Sequence, residues 1–466
     1  MTTPFFAGQH YPVIVVGGGQ AGLSASYWLC RHDIDHLVLE KHQAFHAWKN
    51  ERWDSFSLVT PNWQCRLPGH PYDGDDPDGF MVKDQIVAWM ERFRAAFSPP
   101  LREGVTVQEV TPRSGGGYRV RTDRGALSAD RVIMAVSVYH QPKVPPCADA
   151  LPDHLTQLDA SAYRNPDALP EGPVLVVGTG QSGCQIAEDL HLAGREVHLA
   201  VGPAPRVSRF YRGRDVVAWL DDMGHYRIPV REHLSEDQVK AKANHYVTGR
   251  DGGRDIDLRR FALEGMRLYG RLEDLEGGRI LFGHDLRENL DNADATNARI
   301  KASIDEHIAR HNIDAPAEAP YRPVWEPAPD HPTRLDLDAT GITTVIWCIG
   351  YAPDFSWIKV PAAFDDSGYP KHERGVTASP GLYFLGLPWQ HTWGSGRIYA
   401  IAEDAEHVVD HLADELCASG PGWARLYGFP AGLKKETCRG GGTRSASDRC
   451  VQTVGDMAPP RTFKRR

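Results

Sequence analysis

Short apolar runs recur along the chain, and two of them run directly into glycine-rich turns. Tyr11 to Val16 reads Y-P-V-I-V-V, the pattern of a parallel strand buried on both faces. Gly17-Gly18-Gly19-Gln20-Ala21-Gly22 follows, then a helical stretch from Leu23 to Leu29 and a second strand, His36 to Leu39, ending in Glu40. In this order each glycine has a task. Gly17 permits the tight turn, Gly19 lets a pyrophosphate approach the backbone, and Gly22 lets helix pack closely on strand. With Gln20 and Ala21, the helix N-terminus aims unpaired N–H groups and the positive end of its dipole at an anion. Glu40 stands where a carboxylate accepts hydrogen bonds from ribose hydroxyls.

The pattern repeats near the middle of the chain. Val174 to Val177 leads into Gly178-Thr179-Gly180-Gln181-Ser182-Gly183 and a helix with Cys184, Ala187 and Leu190 on its apolar side. Here the second strand, Glu196 to Val201, ends without an acid, and Arg206, Arg209, Arg212 and Arg214 follow. A carboxylate would repel a ribose 2′-phosphate and a guanidinium can bind one bidentately, so Arg206 and Arg209 are expected to favour NADPH over NADH; a solvated loop is the bland alternative. Cys184 reads as a small core residue.

These elements predict an α/β fold with two Rossmann-like dinucleotide-binding domains, the second inserted in the first. Strands at Val105 to Val110, Tyr118 to Thr122 and Arg131 to Val136 suggest a meander over the first sheet. Later strands at Thr343 to Cys348 and Gly381 to Gly386, with a helix from Tyr399 to Leu416, are expected to return to the first domain. The expected division is residues 1–166 and 336–417 for FAD, and 167–335 for NADP with a helical insertion that includes Asn297 to His311. A disordered tail is expected over 418–466, where glycine, arginine, serine and proline replace any periodicity. The Gly249 to Asp257 loop is expected to be a solvated connection.

Bulk properties narrow the function. A length of 466 residues suits two or three domains, and 41% apolar with 24% charged residues is ordinary for a globular chain. A formal charge of -9 offers no broad electropositive field, which disfavours nucleic-acid binding. The eight cysteines include no Cys-x-x-Cys pair, no apolar run suggests a membrane helix, and a cytoplasmic location is expected. None of the 21 histidines has a metal-ligand spacing, so no metal is expected.

With both cradles in place, residues 10 to 417 resemble the class B flavin monooxygenases, in particular the YUCCA-like indole-pyruvate monooxygenases and bacterial flavoproteins encoded near nitrilases. The resemblance rests on Gly17 to Gly22 with Glu40, Trp48, Leu67-Pro68, Gly178 to Gly183, Gly350-Tyr351 and Gly381 to Gly386. It implies FAD and NADPH as cofactors, with one oxygen atom of O2 passing through C4a-hydroperoxyflavin to a small-molecule nitrogen, sulfur or carbonyl centre. By family position Trp48 lies beside the flavin, and His391, Trp393 and Arg397 line the pocket at its reactive face; Gly350 and Gly386 join the cofactor-binding set.

Two departures keep other functions open. The family fingerprint F-x-G-x-x-x-H-x-x-x-[FYW]-[KRP] falls on Asp153 to Arg164, where Tyr163 and Arg164 fit but Asp153, Leu155 and Asp159 replace the Phe, Gly and His. Ala135-Val136-Ser137 stands where Ala-Thr-Gly is usual, and Ser137 tolerates positive φ poorly, so a different link between domains is expected. A flavin reductase or dehydrogenase that forms no stable hydroperoxide is one alternative, and a catalytically silent flavin-binding protein is another.

Overall fold

The computed structural model describes Phe6 and residues 8–233 and 245–418. The chain divides into two units, Met1–Asp410 and His411–Arg466. Both sheets lie in the first unit, and the expected tail falls outside the described residues beyond Ala418. Among the described residues no helix is long and apolar enough to cross a membrane.

The first sheet begins with β1 (His10–Val16), which feeds helix α1 (Gln20–Arg31) and then β2 (His36–Leu39). Helix α2 (Lys83–Phe97) precedes the short β3 (Leu101–Arg102). A meander follows: β4 (Val107–Pro112), β5 (Tyr118–Thr122) and β6 (Gly125–Met134). The chain then leaves through β7 (Gln141–Pro142) and builds a second sheet from β8 (Thr156–Asp159), β9 (Val174–Val177), β10 (Val197–Ala200), β11 (Arg267–Tyr269) and β12 (Thr344–Trp347). Helix α3 (Gln181–Leu192) joins β9 to β10, and the long α4 (Leu286–His311) lies between β11 and β12. The chain returns through β13 (Tyr351–Ala352) to β14 (His372–Glu373), β15 (Val376–Thr377) and β16 (Leu382–Phe384), then enters α5 (Ile401–Ala418).

In the first sheet the order is β14-β15-β16-β6-β1-β2-β3, with β5 paired to β6 and β4 to β5. Strands β16, β6, β1, β2 and β3 run parallel. The second sheet, β8-β12-β9-β10-β11, is parallel throughout. Both faces of β9 are covered: Val174 and Val176 pack with Ile186, Leu190 and Leu199, and Leu175 and Val177 with Val345 and Trp347. Such two-sided burial is what a continuous apolar run specifies. The result is an α/β fold with two sheets whose centres are parallel.

Three expectations are corrected here. Strand β12 pairs with β8 and β9 in the second sheet, where its Val345, Ile346 and Trp347 complete the cores on either side of β9; it does not return to the first. The charged stretch read as helical also contains strands at Leu272–Glu276 and Arg279–Phe282, whose turn glycines, Gly277 and Gly278, both have positive φ. The Gly249 to Asp257 loop is exposed only at Asp251, Gly252 and Asp255. Arg250 and Arg254 pair with Asp189 and Glu188 on α3, at 2.5 and 3.1 Å, and the Arg209 amide donates to Asp255 at 2.6 Å.

The two passages between the sheets touch. Strands β7 and β13 pair antiparallel, Tyr351 opposite Pro142, and the Lys143 amide donates to the Gly350 carbonyl at 2.9 Å. Just before this ribbon Ser137 adopts φ +63°, the left-handed region the usual glycine would occupy. The link keeps that backbone geometry despite the substitution, at a strain cost on the order of 1 kcal/mol.

Candidate active site

The two cradles are built alike. Gly17 and Gly178 have φ of +109° and +103°, and a Cβ on either would strike a carbonyl of the crossing strand end, Ala135 or Cys348. A Cβ on Gly22 or Gly183 would strike the carbonyl of Gly17 or Gly178, so each helix lies directly on its strand. By contrast, a Cβ on Gly19 or Gly180 would meet no atom within 4 Å. Both of these open positions face one cavity of about 1980 Å³, whose wall includes Gly17, Gly19, Gln20 and Ala21 from the first cradle and Gly178, Gly180, Gln181 and Ser182 from the second.

Hydrogen bonds hold the first cradle to its surroundings. The Glu40 carboxylate accepts from the amides of Gly18 at 2.6 Å and His42 at 2.8 Å, which fixes its place at the cavity edge. Gln20 accepts from Trp48 Nε1 at 2.9 Å and donates to the Gly396 carbonyl at 3.1 Å. It therefore ties Trp48 to the turn that carries Arg397. Gly386, at φ +83°, passes so close to Ala21 that a Cβ would lie 2.7 Å from the Ala21 methyl. In the second cradle Gln181 grips the backbone of Val247, donating to its carbonyl at 2.5 Å and accepting from its amide at 3.3 Å. Gly350 lines the cavity where the chain leaves β12, at φ +91°.

Aromatic side chains line the same cavity. Trp48, Trp389, Trp393, Tyr226 and Arg397 line it, with Tyr226 and Trp393 rings 4.4 Å apart and the Arg397 guanidinium 3.7 Å over Trp393. Desolvation pushes the Arg397 guanidinium down to about 10. His391 does not line the cavity. Its amide donates to Ser395 Oγ at 3.0 Å and its carbonyl accepts from Val230 at 2.7 Å, so the residue braces the loop, and burial lowers its imidazole below the usual range.

The paired arginines also depart from expectation. Arg206 is 3% exposed, bonded to Asp294 at 2.6 Å with its guanidinium 4.2 Å over Tyr321, and it does not reach the cavity. Arg209 touches the cavity wall but is held by Asp215 at 2.5 Å, the Val59 carbonyl at 2.7 Å and the Phe80 ring. Both guanidiniums are committed to buried ion pairs, which corrects their assignment to a ribose 2′-phosphate. Arg212 and Arg214 pair with Asp305 and Asp222.

Sequence reasoning missed Arg52 and Tyr226. The Arg52 guanidinium lies 5.2 Å over Trp48 and 5.6 Å over Phe56, with burial lowering it from the ordinary arginine range. No sequence signal marked it, because Arg52 lies in the bend just past the short helix His46–Asn50 and meets Trp48 and Phe56 only through the tertiary fold. Tyr226 had none, because it comes from a short turn, His225–Arg227, whose approach to Trp393 is purely tertiary.

Comparison with known proteins agrees with this geometry. Residues 14–251 match the family described as pyridine nucleotide-disulphide oxidoreductase. An oxidoreductase of Geobacillus kaustophilus named CzcO-like is 30% identical over 406 residues, 86% of this chain and 97% of that protein. Indole-3-pyruvate monooxygenase YUCCA1 of Oryza sativa subsp. japonica is 31% identical over 191 residues, 40% of this chain and 47% of that protein, so the YUCCA likeness is partial. A flavin-containing monooxygenase from Stenotrophomonas maltophilia shares the fold, with a TM-score of 0.58 at 17% identity over 88% of this chain and 99% of that one. Two like cradles on one cavity and a family match across both place the chain in the pyridine nucleotide-disulphide oxidoreductase family, as a flavoprotein oxidoreductase.

Proposed function

We propose that the chain is an FAD-dependent, NADPH-driven monooxygenase that inserts one oxygen atom of O2 into a nitrogen, sulfur or carbonyl centre of a small molecule. The first cradle takes FAD, and the second, inserted between β7 and β13, takes NADPH. The single observation that carries the reading is the shared cavity. At about 1980 Å³ it exceeds the roughly 300–1,000 Å³ of a single-ligand pocket, and it opens onto both phosphate cradles.

The residues present fit these groups. Open space at Gly19 and Gly180 leaves each backbone accessible to a pyrophosphate, and Glu40 retains carboxylate lone pairs for a ribose. When bound, the flavin and nicotinamide supply the hydride and oxygen chemistry. The chain binds, orients and excludes water. Gln20 fixes Trp48, while Tyr226, Trp389 and Trp393 present apolar surface that keeps solvent from the reacting centre. The Arg397 cation adds a positive field in a poorly solvated wall, where it favours negative charge.

The flavin reductase reading is favoured by one observation: the altered fingerprint is absorbed by structure. Of the replaced positions, Leu155 packs in the second core and Asp159 Oδ1 accepts from the Ser161 amide at 2.7 Å. A dithiol relay is disfavoured because burial raises the thiols of Cys65, Cys184 and Cys348. The test is turnover of the yellow protein with NADPH and ¹⁸O2 against a panel of amines, thioethers and 2-oxo acids. A product carrying one ¹⁸O atom is expected for at least one class. If NADPH bleaches the flavin but all oxygen returns as hydrogen peroxide for every compound, the reductase reading replaces this one.

A further inference from the structure

In a Rossmann sheet the segment after the second strand reads the 2′ position of the adenosine ribose, an acid there accepting from a hydroxyl and an arginine binding a phosphate. In this chain that segment offers neither. Val201 to Pro205 carry no charge, and Arg206 and Arg209 are held by Asp294 and Asp215. The cavity nevertheless has cations at this corner. Gly202, Pro203 and Ala204 line it together with Arg271, which follows β11, and Arg299 on α4.

Register distinguishes the two. Strands β10 and β11 are parallel with Ala200 opposite Tyr269, and the Val201 amide donates to the Tyr269 carbonyl at 2.9 Å. Two residues further along each chain, Arg271 stands beside Gly202 at the same edge of the sheet. Its amide donates to Asp285 Oδ1 at 2.9 Å and its Nε lies 3.3 Å from Asp285 Oδ2, with the side chain 64% exposed. Asp285 therefore orients the guanidinium through its backbone and one nitrogen. Arg299 is placed differently. Helix α4 meets Val201 through Asn289, whose Nδ2 donates to the Val201 carbonyl at 3.0 Å, and Arg299 lies about 15 Å further along the axis at 1.5 Å per residue. There Asn297 bonds Ser208, and Arg299 donates to Thr296 Oγ1 at 2.7 Å.

We infer that Arg271, from the neighbouring strand, selects a nucleotide phosphorylated at the ribose 2′ position, since its guanidinium is exposed at the cavity whereas those of Arg206 and Arg209 are buried. The inference rests on the NADPH reading. A guanidinium at this point forms charge-assisted bonds to a phosphate that a 2′-hydroxyl cannot match.

The experiment titrates adenosine 2′,5′-bisphosphate and adenosine 5′-monophosphate calorimetrically into the flavin-loaded full chain. The wild type is expected to prefer the bisphosphate by roughly tenfold or more. Arg271→Ala should bind both alike with monophosphate affinity unchanged, and Arg271→Lys should keep part of the preference. Retention of the full preference in Arg271→Ala, or its loss in Arg299→Ala instead, overturns the assignment alone. A wild type that binds the two nucleotides equally overturns the NADPH reading and the assignment with it.

Discussion

An added side chain at Gly19 would enter the cavity, whereas one at Gly22 would strike the Gly17 carbonyl, so the two glycines fail in different ways. Gly19→Val should purify folded but colourless, its melting temperature close to that of wild-type protein stripped of flavin. Gly22→Val should lose soluble yield, since the helix cannot lie on its strand. Absorbance near 450 nm and a thermal melt distinguish the cases; normal flavin content in Gly19→Val would remove the first cradle from FAD binding. The glycine spacing was legible because turn geometry is local. The fate of the arginines was not: Arg206 meets its partner Asp294 across 88 residues of sequence, and nothing in an arginine run tells a buried ion pair from a phosphate site. Arg206→Ala or Arg209→Ala should each destabilise the fold by about 3–5 kcal/mol, as removing one partner of a buried pair does. Urea unfolding reads this, and a change confined to the KM for NADPH would contradict it.

At the scale of elements, the apolar runs gave strand positions to within a few residues, yet β12 went to the wrong sheet. Its T-V-I-W is apolar at every position but its first, and such a run specifies a two-sided environment without saying which sheet provides it. The Gly-Gly turn between Leu272–Glu276 and Arg279–Phe282 was the missed hairpin signal. In the first turn of α5, burial raises the Asp404 carboxyl to about 6, with Arg374 and Ser395 opposing that rise. Because the folded state holds this proton at pH values where the unfolded chain has released it, the term weakens the fold as pH rises from about 4 to about 6 and remains unfavourable above. Asp404→Asn should therefore gain more over wild type at pH 7.5 than at pH 4.5, by about 2 kcal/mol. Denaturant melts at both pH values check it, and an equal gain at both would mean an ordinary carboxyl. At Ser137 the strained φ of +63° makes Ser137→Gly stabilising by up to about 1 kcal/mol, visible as a raised melting temperature.

For the whole molecule, two nucleotide cradles were legible and their meeting on one cavity was not, since the placement of one sheet against another is set by tertiary contacts such as Ser55 with Asp189 and Arg209 with the Val59 carbonyl. Stripping the flavin should lower the melting temperature, and FAD should restore it by about 3 kcal/mol of stability at a hundredfold excess over Kd. FMN, lacking the adenylate that the first cradle holds in this reading, should restore little; equal rescue by both would count against the cradle. The paired strands β7 and β13 have one more effect. Because the outgoing and returning chains are laced together at Tyr351 and Pro142, the halves are joined by a double cord rather than two separate threads. A protease nick in either strand of this ribbon would leave the other strand whole, and the hydrogen bonds of Arg209 to the Val59 carbonyl and of the Val230 amide to His391 would still clamp one half to the other.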